Sequence, residues 1–259
     1  MSSFILRLAL LVVALTSAVN VWAQSNPTDL KNEIEVRVHY AVPSGETSFS
    51  TTTNAGTTID FGRDLDLKNS WGYDLRFTHR SENNKHKLLA EYSANKWDRT
   101  TLLTRTFTFL NQTYVANATI DSALQLRDFR AMYAYRWGDD KFRFGPMVDA
   151  GIINTSVQLT TATNQGTTTR EGSITKLAAT VGYDLEYTPD PRVNIFNNLG
   201  GIVFQGEHLF HTEGGVKVFF SRNVGVSGGY KFVRYKLEKD SNFITIREHG
   251  PFVGGVLRF

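Results

Sequence analysis

The chain has 259 residues, no cysteine and a formal net charge of +3, with 28 basic and 25 acidic side chains distributed along its length. Without cysteine, the chain can form neither a disulfide framework nor a thiolate metal site. Its positive charge is too small and too dispersed for a nucleic-acid surface, so we expect no nucleic-acid partner.

Residues 1–23 have the pattern of a secretory signal peptide. A short positive start ends at Arg7, a mostly apolar stretch covers 8–21, and a small-residue cleavage site precedes Gln24. An uncleaved membrane anchor is the alternative, but the apolar stretch is short for a spanning helix, which needs about 20 residues. We therefore expect cleavage, which leaves residues 24–259 as one domain.

No later part of the chain has the composition of a transmembrane helix, because charge, glycine or asparagine interrupts every apolar run. Only helices and closed barrels satisfy all their backbone hydrogen bonds in lipid. The mature chain therefore spans a membrane as a β-barrel or not at all. An aromatic content of 12% suits the two aromatic girdles of such a barrel.

Ten segments of the mature chain are predicted to be strands, mostly because apolar and polar residues alternate along them with a period of two. The seventh alternates poorly and is placed by its position. In chain order the strands lie at about 34–42, 71–78, 88–95, 128–137, 142–152, 176–187, 192–205, 210–220, 224–232 and 250–259. The segments 104–110 and 113–120 also alternate. We interpret them as a hairpin above the membrane, and eight or twelve strands remain as alternatives.

The connections between these strands differ in length at the two ends of the predicted barrel. Short turns at one end and longer loops at the other are typical of transmembrane β-barrels. The short turns are predicted at 81–85, 138–140, 189–191 and 221–223, the longer connections at 43–69, 98–121 and 159–173, and two shorter ones near Gly206 and Asp240.

The last strand carries a family signal. Counting back by twos from Phe259 gives Leu257, Gly255, Val253 and Pro251, without a charge. An apolar closing strand with a terminal phenylalanine resembles the C-terminus of small bacterial outer-membrane β-barrel proteins. The resemblance implies an all-β fold, an antiparallel transmembrane β-barrel, integral to the bacterial outer membrane. It also implies that the barrel assembly machinery reads Val253, Leu257 and Phe259 as an assembly signal. Other implied partners are periplasmic chaperones, outer-membrane lipid and lipopolysaccharide.

Charged residues occupy the second face of the predicted strands. An Arg or Lys side chain that faces mid-bilayer costs about 2–4 kcal/mol, and several of them would rival a domain stability of about 5–15 kcal/mol. We therefore expect the charges to face the lumen. The predicted lumen charge network consists of Glu35, Arg37, Asp74, Arg76, Glu91, Asp128, Arg130, Arg136, Arg143, Asp149, Lys176, Asp184, Glu186, Glu213, Lys217 and Lys231.

The acids and bases of this network are equal in number, and a buried charge without a partner is costly, so we expect them to pair across the lumen. Ten strands lie close to the eight-stranded size at which side chains just fill a barrel. The predicted lumen is therefore narrow and filled with charge. Its function is either structural or a restricted, porin-like passage of small solutes or ions.

Each of the last four predicted strands carries a glycine pair, of which one glycine should face the lumen. Bends for barrel closure are the favoured explanation, and a wall hollowed for a bulky inward side chain or a ligand is the alternative. The pairs are Gly200–Gly201, Gly214–Gly215, Gly228–Gly229 and Gly254–Gly255.

The first long loop contains four apolar residues at which it could fold back onto the barrel. We expect Ile59, Phe61, Leu65 and Leu67 to cover the barrel mouth as a lid.

Enzymes occur on small outer-membrane barrels, and their catalytic groups lie at the rim or on the outer wall. No segment resembles the motifs of omptin-like proteases or outer-membrane phospholipases, and only His249 could correspond to the histidine of a lipid A deacylase. His208 and His211 fall on opposite faces of one strand, which makes a metal site between them weak. We predict no catalytic residue, cofactor or metal. The rim candidates were Asp60, Asp64, Asp66, Glu207, His208, His211, Glu213, Asp240, Glu248 and His249.

Two further classes of function remain as alternatives. The first is surface recognition through the long loops, as an adhesin or receptor. The second is a rim hydrolase that acts on protein or lipid. The sequence leaves the oligomeric state open.

Overall fold

The computed structural model describes residues 30–52, 54–163, 166–204 and 206–259. The predicted signal peptide lies outside these residues. Within the described ranges, no helix has the length and apolar character required to cross a membrane.

Ten long antiparallel strands form a closed ring. Each strand pairs with the next, and the last pairs with the first. The ten are β1 (Asn32–Ser48), β3 (Ser70–Arg80), β4 (His86–Leu102), β7 (Thr119–Tyr135), β9 (Phe142–Thr163), β10 (Gly166–Asp190), β11 (Val193–Phe204), β12 (Glu207–Phe219), β13 (Val224–Lys239) and β14 (Asn242–Arg258). In the described part of the chain, four short strands accompany them, namely β2 (Ile59–Asp60), β5 (Phe107–Phe109), β6 (Gln112–Tyr114) and β8 (Trp137–Gly138). The predicted antiparallel β-barrel of ten strands is confirmed.

The seam between β1 and β14 closes the ring. Its ladder runs from the pair Glu33↔Arg258 to the pair Ser48↔Phe243. Closure matters because an open edge in lipid would leave backbone donors and acceptors without partners. The four predicted short turns lie at one end of the ring, together with both ends of the described barrel. We define this end as periplasmic and the other as extracellular.

The predicted loop at 159–173 is wrong. β9 and β10 form one uninterrupted ladder from Phe142↔Tyr187 to Thr163↔Gly166. This segment is rich in threonine, whose β-branched side chain favours strands, and its polar composition was mistaken for that of a loop. β4 and β7 also extend further than predicted and shorten the connection at 98–121.

The outer wall of the ring is apolar. Its exposed large side chains follow the period-two phase opposite to the buried charges, as expected for a surface that faces hydrocarbon. The exposed set includes Trp71, Tyr73, Leu75, Phe77, Leu88, Phe129, Tyr133, Trp137, Phe142, Phe144, Val148, Ile152, Leu177, Val181, Tyr187, Ile195, Val216, Val218, Phe220, Val226, Tyr230, Val253 and Phe259. This surface is the lipid-facing belt.

The inner wall formed by β12 to β14 is hollowed by glycine. A Cβ atom on Gly215 would lie 3.1 Å from Cζ of Phe252, and one on Gly229 would lie 2.6 Å from the same atom. The buried ring of Phe252 therefore occupies the space that two absent side chains leave. This arrangement matches the alternative explanation of the glycine pairs, in which the wall receives a bulky inward side chain.

Replacing Gly229 with alanine should destabilise the barrel, whereas Gly228→Ala should be nearly neutral. The new Cβ at Gly229 would also meet the backbone oxygen of Gly214 at 2.2 Å, while the nearest atom at Gly228 would be 3.7 Å away. Overpacking of this kind costs about 1–3 kcal/mol. Urea unfolding in liposomes, followed by tryptophan fluorescence, measures the difference. Equal unfolding midpoints for the two variants would contradict the packing of Phe252 described above.

Candidate functional site

All sixteen predicted lumen charges lie on the ring strands or directly at their ends, on the inward phase. Thirteen are buried. The other three keep partial exposure, with side chains that are 12% exposed at Arg130, 12% at Arg143 and 30% at Lys176. Burial on the inner face places these charges inside the ring, where each must find a partner.

Glu213 on β12 is the centre of the network. Its Oε2 accepts a hydrogen bond of 2.8 Å from Nη1 of Arg37 on β1, and its Oε1 accepts one of 2.7 Å from Nη1 of Arg76 on β3. Arg37 also donates to Glu35 at 2.5 Å, and Arg76 donates to Glu91. One carboxylate thus links strands that are not neighbours in the ring.

Lys231 on β13 forms a second group of contacts at mid-height. Its Nζ donates to Asp74 and to Ser93, each at 3.0 Å, and lies 3.4 Å from Glu91. These three partners lie on β3 and β4, so the ammonium group also connects strands that do not pair. The ammonium group of lysine has three N–H donors on a flexible side chain, which allows Lys231 to contact several partners at once.

His39 lies beside this group and was missed in the sequence. Its Nε2 lies 2.7 Å from Oδ1 of Asn95 and 3.1 Å from Glu248, and its Nδ1 lies 3.4 Å from Asp74. The period-two phase of Arg37 predicts that His39 faces inward. It was left out of the predicted network because that network was limited to Asp, Glu, Lys and Arg.

A third group surrounds Glu186 at the periplasmic end. This carboxylate lies 2.7 Å from Lys87, 2.7 Å from Arg136 and 3.3 Å from Arg80. Lys87 also donates to Asp184 at 2.7 Å. Both basic residues were missed because they lie just outside predicted strands, Arg80 two residues after the strand at 71–78 and Lys87 one residue before the strand at 88–95.

Glu33 on β1 was missed for the same reason. It accepts hydrogen bonds from Lys217 and, at 3.1 Å, from Arg258 on β14. The pair with Arg258 spans the seam of the ring.

A fourth group contains the remaining predicted acids of the lumen. Asp128 accepts a hydrogen bond of 2.7 Å from the hydroxyl of Tyr235 and lies 3.1 Å from Arg130. Asp149 accepts one of 2.7 Å from the hydroxyl of Thr180 and lies 3.2 Å from His211.

Two predicted members of the network lie at its ends and not in its centre. Arg143 pairs with Asp140 in a periplasmic turn at 2.9 Å, and Lys176 pairs with Glu207 at 2.7 Å near the extracellular end.

The space left between the charged groups at mid-lumen is small. Two cavities beside Arg130, Asp149 and His211 have volumes of about 20 Å³ and 10 Å³. A single water molecule needs about 10–15 Å³ measured in this way. The mid-lumen cavities therefore have room for isolated waters only and give no continuous path, whereas an open cavity of about 860 Å³ lies at the periplasmic end beside Arg80, Arg136 and Glu186.

An apolar cluster fills the extracellular half of the barrel, above the charges. The predicted lid is confirmed, because Ile59, Phe61 and Leu65 are fully buried and Leu67 is 6% exposed. The hairpin predicted at 104–120 exists as β5 and β6. It is shorter than predicted, and its apolar side chains point into the barrel mouth. The lid and this hairpin together are termed the cap.

Specific contacts hold the cap to the barrel wall. The rings of Phe107 and Tyr114 stack with centroids 5.4 Å apart, and the Tyr114 hydroxyl donates to the carbonyl oxygen of Leu159 at 3.4 Å. On the lid, the backbone N–H of Phe61 donates to the carbonyl oxygen of Gly45 at 2.9 Å. Each loop is thus bonded to a different strand.

Asp64 ties the two parts of the cap together. Its carboxylate accepts hydrogen bonds from Arg105 at 2.8 Å and 2.6 Å, and from the backbone N–H of Asp60 at 2.8 Å. Burial alone would raise the pKa of Asp64, but the hydrogen bonds from Arg105, Arg63 and Asp60 hold that pKa well below its ordinary value. Asp64 is therefore charged at neutral pH.

The rim candidates for an enzyme do not converge in the described part of the chain, where no group of three or more histidines and acids could hold a metal. His249 faces the outer wall, 2.5 Å from the hydroxyl of Tyr230. Asp60 accepts hydrogen bonds from the backbone N–H groups of Gly62 and Arg63. His211, like Glu213 and Glu248, lies inside the lumen.

Comparison with known proteins adds information on the fold. No family model and no curated protein matches the chain. Among solved structures, the outer-membrane protease OmpT of Escherichia coli is similar over 92% of this chain and 99% of its own, at 8% identity and a TM-score of 0.55. The translocator domain of the autotransporter NalP from Neisseria meningitidis is similar over 100% and 98%, at 11% identity and a TM-score of 0.45. The attachment invasion locus protein Ail of Yersinia pestis, in complex with a heparin analogue, is similar over 88% of this chain and 99% of its own, at 13% identity and a TM-score of 0.36.

The likeness to OmpT concerns the fold alone, since few residues are identical. It agrees with the ten-stranded ring and with the apolar belt described above. The chain therefore has the fold of a ten-stranded transmembrane β-barrel, with an apolar outer belt and a charged interior.

Proposed function

We propose that the protein is a structural barrel whose lumen is sealed in its resting state. The observation that supports this function is the apolar cap above a network of paired charges, in which the cavities at mid-lumen are no larger than single waters. An apolar constriction excludes ions by dewetting. Because the acids and bases of the network are paired, the lumen also has no excess charge of one sign that would attract ions of the opposite sign. Any porin-like passage would therefore require the cap to move.

The assembly signal remains part of this proposal. Val253 on β14 and Phe259 directly after this strand are exposed, on the phase shared with Leu257. The backbone of Phe259 is bonded to Asn32 at 2.9 Å and 3.0 Å. The assembly machinery would thus read a surface that faces lipid in the finished barrel.

The purified wild-type protein should show no stable unitary current in a planar bilayer. A variant in which a short Gly-Ser linker replaces residues 58–67 should also stay closed, because the paired charges at mid-lumen leave no continuous path below the lid. Heat-modifiable migration on gels verifies that both proteins are folded. A reproducible wild-type current at modest voltage would contradict the sealed lumen.

Asp64→Asn should loosen the cap at neutral pH, since the amide loses the charge-assisted bonds from Arg105. Hydrogen bonds to a charged group contribute about 1.5–3 kcal/mol, so trypsin cleavage after Arg63 should accelerate about tenfold or more. Asp66→Asn is the matched control, because the Asp66 side chain is 39% exposed in its pair with Lys68. Equal cleavage rates in both variants would contradict the role given to Asp64.

The same bonds predict how the cap responds to pH. The folded pKa of Asp64 is depressed, so its contribution to stability is present above the unfolded value of about 3.9 and is lost as pH falls through the folded value. The cap should therefore be equally protected at pH 5 and pH 8. Protection of its backbone amides from hydrogen exchange measures this, and a loss between pH 8 and pH 5 would contradict it.

Surface recognition remains a second candidate, and one observation favours it. Among the described residues, β10 pairs with β9 alone from Thr167 to Thr180, because its ladder with β11 begins at Val181↔Gly201. The free edge of a strand can bind an extended peptide by backbone hydrogen bonds. This edge lies at the extracellular end, where a partner could reach it.

Shortening the β9–β10 hairpin tests this candidate. If residues 156–173 are replaced by an Asn-Gly turn, cells that display the barrel should lose adhesion to host epithelial cells. Surface labelling verifies equal display. Adhesion that persists, or that the wild type does not show, would exclude recognition through this edge.

A further inference from the structure

Two arginines face each other on the outer wall. Arg234 on β13 and Arg247 on β14 are direct partners in the ladder between these strands. Both are exposed, and their neighbours along each strand are buried. In the described chain, neither guanidinium has a carboxylate or a side-chain hydrogen-bond partner. Like charges directly opposite each other on one face of a sheet are destabilising, so the pair requires an explanation.

The pair lies at the extracellular boundary of the lipid-facing belt. The next outward residues toward the periplasm are Phe232 below Arg234 and His249 below Arg247. Along β13, the distance from Val224 to Arg234 is about 33 Å, or about 25 Å along the membrane normal at a tilt near 40°. The apolar band of such a barrel is about 25 Å tall. Both guanidinium groups therefore reach the level of the lipid head groups.

Aromatic side chains mark this boundary directly below the arginines. The rings of Tyr230 and His249 stack with centroids 6.0 Å apart. Phe210 and Phe232 contact edge to face with centroids 5.8 Å apart. Aromatic girdles of this kind lie at the interface between hydrocarbon and head groups, which fixes the height of the pair independently of the strand length.

An apolar groove opens beside Arg234. It has a volume of about 590 Å³, and Gly201, Phe210 and Phe232 are among its lining residues. A Cβ atom on Gly201 would lie 3.3 Å from Cδ2 of Phe210, so the glycine leaves room at the groove floor. An apolar groove beside an exposed guanidinium suits a ligand that has a hydrocarbon tail and an anionic head group.

We propose that Arg234 and Arg247 bind a phosphate group of lipid A in the outer leaflet, with an acyl chain in the groove. The planar guanidinium binds phosphate with two parallel hydrogen bonds, and two of them around one phosphate convert their repulsion into a binding site. A free phosphate ion would not use the groove. This site is independent of the sealed lumen, because it lies on the other side of the wall.

Native mass spectrometry of the full mature protein in detergent tests the proposal, with diphosphoryl lipid A as the probe. The wild type should retain one bound lipid A. Arg234→Gln with Arg247→Gln should weaken that binding about tenfold or more, since charge-assisted bonds are lost. Dephosphorylated lipid A should bind the wild type as weakly as diphosphoryl lipid A binds this double variant.

Arg127→Gln is the matched control. Arg127 is an exposed, outward residue on β7, where Gln125 already accepts its hydrogen bond at 3.0 Å. This variant should bind lipid A like the wild type, and all variants should show the same heat-modifiable migration. Unchanged binding by the double variant, an equal loss in Arg127→Gln, or binding of inorganic phosphate as tightly as lipid A would each overturn the proposal.

Discussion

The pairing of charges inside a wall that faces lipid is the constraint on which the rest of this structure depends. Hydrocarbon outside forces the outer face of each strand to be apolar within the bilayer, and the period of two then places the charged side chains at that height on the inner face. Inside, an unpaired charge would be costly. Glu213 shows the solution, since one carboxylate serves both Arg37 and Arg76. The interior is consequently a core that ion pairs and hydrogen bonds hold together. Phe252 belongs to this core, because the centroid of its ring lies 4.2 Å from the guanidinium of Arg37.

The barrel changes its chemistry along its axis. At the periplasmic end and at mid-height the interior is ionic, whereas at the extracellular end it resembles the core of a soluble protein, with Trp97, Phe61 and Phe107 fully or almost fully buried. Above the bilayer the outer face of the strands meets water, so nothing requires the inner face to be polar. The hydrophobic effect can then hold the cap in place. Asp64 and Arg105 add a directional ion pair to this apolar packing, because their hydrogen bonds join the lid to the loop that carries the β5–β6 hairpin.

Much of the fold followed from alternation, and the site followed in part. The inward phase of Arg37 or Lys231 is local, so the sequence could predict it. Partners such as Glu213 for Arg37 lie far apart in the chain, and the register and diameter of the ring decide which of them meet. Glu33, Arg80 and Lys87 were missed because strand ends are poorly marked by alternation. The extended β9–β10 ladder was missed because threonine suits both loops and strands. Glycine positions suggested close approach, but only the folded ring shows that Phe252 is the side chain received.

The seam between the first and last strands has a consequence for how the barrel matures. Glu33 meets Arg258 across this seam, and Arg37 meets Phe252 there. Until the C-terminal strand arrives, part of the ionic interior has no counterpart and would be presented to hydrocarbon. Entry of single strands into the bilayer is therefore disfavoured, and β1 must pair with β14 before or during release into lipid. The last strand of the ring thus supplies the partners that the side chains of the first strand require.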